Sequence, residues 1–485
     1  MFFHTTTKRL SGLYHRAGEK EVRIAVQAAL NAAEKWAAMD WEDRVAVFLK
    51  AADLLAGPRR ALANASCMLA LSKNVFQAEI DSACETIDFL RFNSYYTAQI
   101  YEQQPLLSSR GTWNRMEYRP LEGFVFAVTP FNFASITGNL PSAPAIMGNV
   151  CLWKPASNAV YSSYRIMQVF LKAGLPDGVI NFIPGLGSEI GPVILSIPQL
   201  AGIHFTGSTD TFQQIWRTVG ENIKSYRSYP RLVGETGGKN FVFAHNSAGI
   251  EELGTALIRG AYEYQGQKCS AVSRAYIPQS IWSDLKDYLM KELLTIKVGG
   301  VEDFSNFMNA VIDENAFSRV SGYIEYAEKS KQAEIVFGGE ADGSRGYFIQ
   351  PTLILTTDPQ FRTMREEIFG PVLTVYVYED SRYEEALHLC DETSPYGLTG
   401  AVFARQREAV VTAQRVLMNC AGNFYINDKP TGALVGQQPF GGGRASGTND
   451  KAGCLLNLQR WISPRSIKEN FVPPTDYRYP FMAES

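Results

Sequence analysis

Five short apolar runs, each divided from the next by a stretch of helical periodicity, constrain this chain more than any other feature. They are Phe124–Val128, Val150–Trp153, Val179–Ile183, Gly202–Phe205 and Leu232–Val233, with helical patterns such as Ser157–Ala173 and Thr209–Gly220 between them. Strands and helices that alternate at this spacing predict a parallel sheet with helices on its faces. Ligands of such a sheet bind off the carboxyl ends of its strands. A second α/β region is expected from Phe241 onward. Its elements are helices at Ile250–Tyr264, Tyr383–Cys390 and Ala409–Asn419, and strands at Val272–Ile277, Val372–Val377 and Thr399–Phe403.

Outside these regions, Ala- and Leu-rich patterns over Glu21–Leu55 and Gln77–Tyr101 read as amphipathic helices, with a break at Gly57-Pro58. Arg115–Arg119 alternates like a strand and Pro120–Gly123 like a turn, which suggests an extended hairpin standing apart from a core. From Ser463 the chain holds Pro464, Pro473, Pro474 and Pro480 and is expected to form an extended arm.

At 485 residues the chain is too long for one hydrophobic core and calls for two or three domains. A net charge of −3 gives no basic face for nucleic acid, and no apolar run approaches the ~20 residues of a membrane-spanning helix. Seven cysteines, an odd number with no Cys-x-x-Cys pair, fit a reducing compartment better than a disulfide framework. Five unclustered histidines argue against a metal site and weaken a Cys–His hydrolase, although His204 or His245 could fold towards a cysteine. Near the start, Lys8, Arg9, Arg16 and Lys20 face the single acid Glu19. That resembles either a mitochondrial presequence or a frayed basic start to the first helix.

Most cysteines are small core hydrophobes, but Cys269 sits in the small polar turn Gly266-Gln267-Lys268-Cys269-Ser270. Far upstream stands Glu235, in Glu235-Thr236-Gly237-Gly238. A thiolate can attack a carbonyl carbon, and a carboxylate can activate the water that releases the acyl group. The two meet only if the fold brings them together. Phe131-Asn132-Phe133, after Thr129-Pro130, offers an amide that could hold an oxyanion, or else a plain turn beside two core rings. Gly185–Gly191 and Thr206-Gly207-Ser208-Thr209 are strand-to-helix junctions able to present N–H groups to phosphate, though helix capping alone would also explain them. Lys154-Pro155 places a cation at a strand end, where it is either a ligand for ribose or phosphate or a solvated charge. Glu366-Glu367-Ile368-Phe369-Gly370-Pro371 joins carboxylates to an aromatic and a turn.

Taken in order, Pro130-Phe131-Asn132, Trp153-Lys154-Pro155, Phe205-Thr206-Gly207-Ser208, Glu235-Thr236-Gly237-Gly238-Lys239, Gly266-Gln267-Lys268-Cys269 and Glu367-Ile368-Phe369-Gly370-Pro371 resemble the aldehyde dehydrogenase superfamily. Arg91-Phe92-Asn93, Gly422–Lys429, Gly436–Gly442 and Ala445–Asp450 narrow the resemblance to its Δ1-pyrroline-5-carboxylate (glutamate-γ-semialdehyde) dehydrogenase branch. The resemblance implies an α/β fold in three parts. A Rossmann-type NAD-binding domain would take residues 1–109 and 124–236, and an α/β catalytic domain 237–462. A small β oligomerisation element would take 110–123 and 463–485. It implies NAD as cofactor and a homodimer or higher homo-oligomer. The implied reaction is oxidation of L-glutamate γ-semialdehyde to L-glutamate, the second step of proline catabolism, with a possible functional link to a separate proline dehydrogenase.

The same resemblance supplies roles. Cys269 would be the nucleophile, Glu235 the base, and Asn132 the oxyanion donor together with the Cys269 N–H. Thr129, Pro130, Lys154, Gly187, Gly207, Ser208, Thr209, Asp210, Thr211, Glu367 and Phe369 would hold the cofactor. Phe133, Ser270, Gly432, Ala433 and Phe440 would hold the substrate, with N–H groups at Gly432-Ala433 forming a nest for its α-carboxylate. The resemblance also implies the mitochondrial matrix, or the cytoplasm if the N-terminus is not a presequence. Two departures stand out: Ser157 replaces a ribose-binding acid found in many relatives, leaving NADP as a competitor, and a segment that precedes the first helices in relatives is expected to be missing. Rival readings are an enzyme for a related amino acid semialdehyde and a catalytically silent binding paralogue.

Overall fold

The computed structural model of the chain describes the backbone at 2–3 and 6–10 and whole residues from 13 to 482. The side chains of Lys8 and Arg9, and residues 483–485 of the expected arm, lie outside the described residues. Five parallel strands form the first sheet: β1 (Phe124–Val128), β2 (Val150–Lys154), β3 (Ile180–Phe182), β4 (Leu200–Thr206) and β5 (Arg231–Glu235). Their order across the sheet is β3-β2-β1-β4-β5, the doubly wound Rossmann arrangement. β1, β2 and β4 read as continuous apolar runs because both faces are covered by helices and buried. The chain order reverses between β1 and β4, which opens a crevice at their carboxyl ends. Entry into β1 depends on Gly123 (φ +137), where a Cβ would lie 2.0 Å from the Gln199 carbonyl oxygen.

Four long helices, Glu19–Ala38, Trp41–Ala56, Arg60–Leu71 and Glu85–Tyr101, pack around this sheet. The break expected at Gly57 is present, and a second at Met39-Asp40 divides the first pattern into two helices. Between Arg60–Leu71 and Glu85–Tyr101 the chain passes through a short helix and a π-helical turn, Glu79–Cys84. Leu458, Trp461 and Ile462 pack into this first core although they lie far along the chain.

The second sheet holds β6 (Asn240–Ala244), β7 (Val272–Pro278), β8 (Ala333–Phe337), β9 (Thr352–Thr356), β10 (Val372–Tyr378), β11 (Thr399–Phe403) and β12 (Asn423–Ile426). Their order is β8-β9-β10-β7-β6-β11-β12, parallel except for the antiparallel edge pair β8–β9. Separate cores line its two faces.

The expected local hairpin is not formed. Thr112–Arg119 pairs antiparallel with Ser463–Asn470, from Ser463 opposite Arg119 to Asn470 opposite Thr112. The turn at Pro120–Gly123 leads forward into β1 rather than back, so the strand takes its partner from the first eight residues of the C-terminal stretch.

Candidate active site

The segment that delivers Cys269 begins where helix Ile250–Tyr262 stops, two residues short of its expected end. Tyr264 (φ 54), Gln265 (φ 55) and Gly266 (φ 65) are consecutive left-handed residues, a conformation that costs non-glycine residues energy unless the surroundings enforce it. The surroundings do so. The Tyr264 hydroxyl donates to the Leu71 carbonyl (2.9 Å). The Gln265 amide donates to the carbonyls of Ser72 (3.0 Å) and Ala310 (2.9 Å) and accepts from the Asn309 N–H (3.0 Å). Gln267 accepts from the Ile312 N–H (2.8 Å). A Cβ on Gly266 would lie 2.2 Å from the Gly370 carbonyl oxygen, so only glycine fits there.

This places Cys269, 7% exposed, just before β7. Its Sγ lies 3.6 Å from Oε1 of Glu235 at the end of β5. The β5 end is itself fixed: the Gly234 N–H donates to Thr448 Oγ1 (2.9 Å) and the Thr236 N–H to the Ser446 carbonyl (2.9 Å). The buried Asn132 amide donates to the Gln267 carbonyl (3.1 Å), which brings it beside the turn that carries Cys269. Burial pushes the Glu235 carboxyl up to about 8, with Cys269 and the Lys451 ammonium pulling the other way. Burial also raises the Cys269 thiol well above its ordinary value, and the Glu235 and Glu367 charges add to this. A sulfur and a carboxyl so placed can share one proton, and the carboxylate form can take a proton from water.

One cavity of about 650 Å³ is lined by Glu235, Cys269, Phe133, Ser270, Gly432, Ala433 and Phe440, so the structure brings together all the substrate residues expected from sequence and the expected nucleophile and base. Ser270 Oγ and Thr431 Oγ1 are 2.8 Å apart, and Gly432 is left-handed (φ +87). The Lys429 ammonium donates to the Thr431 carbonyl (3.0 Å). Glu263 also lines this cavity, ion-paired with Arg259 (2.6 Å) and Lys268 (3.1 Å). Burial would raise its pKa, but Lys268 and Arg259 hold it below the usual value, which makes it a poor base. His204 also lines the cavity, yet its Nδ1 is within 2.9 Å of the Leu140 carbonyl and burial lowers its pKa to about 4. His245 pairs with Ser247 instead (2.9 Å).

Sequence reasoning did not find three charged residues at this cavity: Asp81 and Glu85, which line it, and Lys73, which packs on Phe133. Lys73 is wholly buried, ion-paired with Asp81, and its ammonium lies 4.4 Å from the Phe133 ring centroid and 4.1 Å from that of Tyr264. Glu85 accepts from Ser135 Oγ (2.6 Å), and burial raises its carboxyl to about 8.

The residues expected at the cofactor gather at the strand ends of the first sheet. Thr129 and Pro130 follow β1, Lys154 ends β2, Gly187 opens helix Gly187–Leu195, and Gly207 follows β4. Ser208 caps helix Thr209–Glu221, accepting from the Thr211 N–H (3.4 Å), so Thr209, Asp210 and Thr211 form its first turn. Glu367 reaches in from the second region and accepts from the Gly238 N–H (2.9 Å). Phe369 is left-handed (φ 56), with its ring 5.8 Å from that of Phe131. The arrangement fits a dinucleotide. A Cβ on Gly207 would meet the Phe205 ring at 2.8 Å, so glycine lets the loop pass close over that ring, and Gly187 lies beside the Lys154 side chain, where a Cβ would be 3.5 Å from Lys154 Cε. Among the described residues the Lys154 ammonium bonds only the Pro155 carbonyl (3.1 Å), which leaves donors for a ribose or phosphate; burial lowers its pKa.

Comparison with known proteins identifies the family and the fold. The family model described as "Aldehyde dehydrogenase family" matches residues 3–467. The mitochondrial Δ1-pyrroline-5-carboxylate dehydrogenase of Dictyostelium discoideum is 55% identical over 473 residues, covering 97% of this chain and 85% of that protein. The Mycobacterium tuberculosis Δ-pyrroline-5-carboxylate dehydrogenase bound with NAD superposes with a TM-score of 0.96 at 53% identity, covering 100% of this chain and 89% of the other. The Thermus 1-pyrroline-5-carboxylate dehydrogenase with bound NAD gives 0.91 at 33% identity, covering 97% and 89%. With a family match over residues 3–467, a Rossmann-type sheet and a buried Cys–Glu pair lining one cavity, this chain belongs to the aldehyde dehydrogenase family.

Proposed function

We propose that this protein oxidises L-glutamate γ-semialdehyde, in equilibrium with Δ1-pyrroline-5-carboxylate, to L-glutamate with NAD. One observation carries the reading. The Cys269–Glu235 pair, at 3.6 Å, shares its cavity with Ser270 and the Gly432-Ala433 loop, so one pocket can hold both ends of a short amino acid aldehyde.

In this reading the Cys269 thiolate adds to the aldehyde carbon. The oxyanion so formed is held by the Asn132 amide and the Cys269 N–H. Thr129, Pro130, Lys154, Gly187, Gly207, Ser208 to Thr211, Glu367 and Phe369 would hold the cofactor, which would supply a hydride acceptor when bound. Loss of hydride leaves a thioester on Sγ. Glu235 then takes a proton from water, the hydroxide attacks the thioester, and the acid departs as the thiolate is restored. Phe133 and Phe440 flank the substrate chain, while Ser270 and the N–H groups of Gly432 and Ala433 hold its carboxylate.

Residues 1–109 and 124–236 serve as the NAD-binding domain, 237–462 as the catalytic domain, and 110–123 with 463–485 as the element that joins subunits of a homo-oligomer. The mitochondrial matrix is the expected location, and a separate proline dehydrogenase the expected source of substrate. Among the described residues no helix is long and apolar enough to cross a membrane.

Following NADH and NADPH formation by purified protein over a panel of aldehydes tests the proposal. A site that binds a carboxylate rejects analogues lacking it, because its buried donors go unpaired, so the semialdehyde should exceed butanal in kcat/KM by roughly 10²-fold or more. Ala433→Pro, which removes one N–H, should damage the semialdehyde reaction far more than the butanal reaction. Equal losses on both would overturn the substrate assignment and leave the family intact.

A further inference from the structure

The first sheet carries a second cavity, away from the one that holds Cys269. It has a volume of about 550 Å³ and lies at the start of β5, between that edge strand and the base of the Thr112–Arg119/Ser463–Asn470 ribbon. Arg231, Arg460, Trp216, Tyr229 and Glu122 are among its lining residues. Two guanidinium groups meet here. Arg460 is ion-paired with Asp450 (3.2 Å), whose carboxylate also takes the Thr448 hydroxyl. Arg231 has no side-chain hydrogen bond or ion pair among the described residues. Glu122 is the cavity's own carboxylate, and it is drawn to Arg227 outside (3.3 Å). The wall is completed by Trp216, half exposed, and the exposed Tyr229.

A half-buried guanidinium without a counter-ion, next to a second one, is electrostatically unfavourable; burial and the Arg460 charge both act to lower the Arg231 pKa. An arginine cannot relieve this by losing its proton, because its ordinary pKa is too high. It can do so by accepting an anion, and the planar fork of guanidinium donors matches the oxygen edges of a phosphate. The volume exceeds a free phosphate ion, and the aromatic wall offers a face to whatever the phosphate is attached to.

We propose that Arg231 and Arg460 form a binding site for a phosphate group, separate from the cavity of the dehydrogenase reaction. The ligand is free inorganic phosphate or a small phosphomonoester whose substituent lies against Trp216 and Tyr229.

Isothermal titration of the full chain with inorganic phosphate tests it, with NAD saturating so that the cofactor crevice is covered, and with chloride at equal ionic strength as the control. Saturable one-site binding above the chloride control is expected. Arg231→Gln should weaken it by at least about tenfold, the loss of one charge-assisted fork. Arg231→Lys keeps the charge and loses the fork; it should bind about threefold or more weakly, and it serves if the glutamine variant does not fold. Phenyl phosphate binding more tightly than phosphate would assign the aromatic wall to a phosphomonoester; equal affinity would assign the site to the free ion. Absence of heat above the chloride control, or unchanged affinity in a folded Arg231 variant, overturns the proposal.

Discussion

The turn that carries Cys269 is fixed by side chains that bond distant parts of the chain, whereas the side chains of Lys154 and Ser208 bond within their own turns. Those turns are tied to the rest of the fold through backbone, as in the Thr129 N–H to the Lys154 carbonyl (3.1 Å) and the Gly207 N–H to the Glu235 carbonyl (3.2 Å). Tyr264, Gln265 and Gln267 bond to backbone at Leu71, Ser72, Ala310, Asn309 and Ile312, contributions from two separate segments. Lys154 bonds the next residue's carbonyl, and Ser208 caps its own helix. Under the proposed function, the contrast follows from what each side must do. Covalent chemistry needs a sulfur, a carboxyl and an oxyanion donor held to a fraction of an ångström, and left-handed backbone there is stable only when tertiary bonds enforce it. A dinucleotide is long, and local N–H groups, hydroxyls and one cation can share its binding.

If the first region carries the chemistry, its variants should lose turnover outright. Cys269→Ala is expected to lower the rate of NADH formation by about 10⁴-fold or more while leaving NAD affinity within about twofold. Retention of a few per cent of activity would remove Cys269 from the covalent step and erase the contrast.

Glu235→Gln should separate the two half-reactions. A burst of about one equivalent of NADH should form and then stall, with steady-state kcat falling roughly 10²- to 10⁴-fold. The pH dependence follows from the sign of the Glu235 shift. Its carboxyl is pushed up to about 8, and it acts as a base only when ionised. A deacylation-limited kcat in the parent enzyme should therefore climb as pH rises towards about 8 and level off above it. Loss of that rise in Glu235→Gln, read by stopped-flow and steady-state assays across pH, is the check. An unchanged profile would assign the rise to another group.

The left-handed turn gives the next largest effect. Gln265→Leu would leave two carbonyls and one N–H buried without partners, at about 1–3 kcal/mol each, so a loss of about 3 kcal/mol or more is expected in denaturant unfolding. Since the same bonds aim Cys269, kcat should fall with little change in the KM for NAD. A variant that loses stability but keeps kcat would show that these bonds support the fold without positioning the sulfur.

What the sequence makes legible depends on whether burial leaves a one-dimensional pattern. β1, β2 and β4 are plain apolar runs because both their faces are covered. Helix Ala134–Ile146 escapes sequence reading for the same reason: twelve of its thirteen residues are buried, so it shows no polar face, and it contains Pro141 and Pro144. The ribbon partner of Thr112–Arg119 lies 344 residues or more away along the chain, where no local signal could identify it. Cys269, Glu235 and the five residues expected to bind substrate stand in motifs and line one cavity. Lys73, Asp81 and Glu85 stand in none. Charged residues in a helical pattern read as a solvated face, but the π-helical turn Glu79–Cys84 shifts the spacing there, and Asp81 points inward to the buried Lys73. The Arg259–Glu263–Lys268 cluster is legible only as charges near a cysteine, since its pairing depends on the turn at Tyr264.

Ser208→Ala is the gentlest test and the sharpest on the cofactor side. The Ser208 hydroxyl accepts from the Thr211 N–H at 3.4 Å, a long bond, and lies 2.7 Å from Thr211 Oγ1. An N-cap of this kind contributes about 1 kcal/mol, and Thr211 can keep part of its hydrogen bonding without it. Stability should therefore fall by about 1 kcal/mol or less. The KM for NAD should rise roughly threefold as one anion-facing hydroxyl is lost, and kcat on the semialdehyde should stay unchanged. Thermal melting with NAD titrations, run beside full kinetics, measures all three. A tenfold fall in kcat would place Ser208 with the chemistry rather than with binding, and the division between side chains that bond distant segments and side chains that bond within their own turn would no longer mark the division of function.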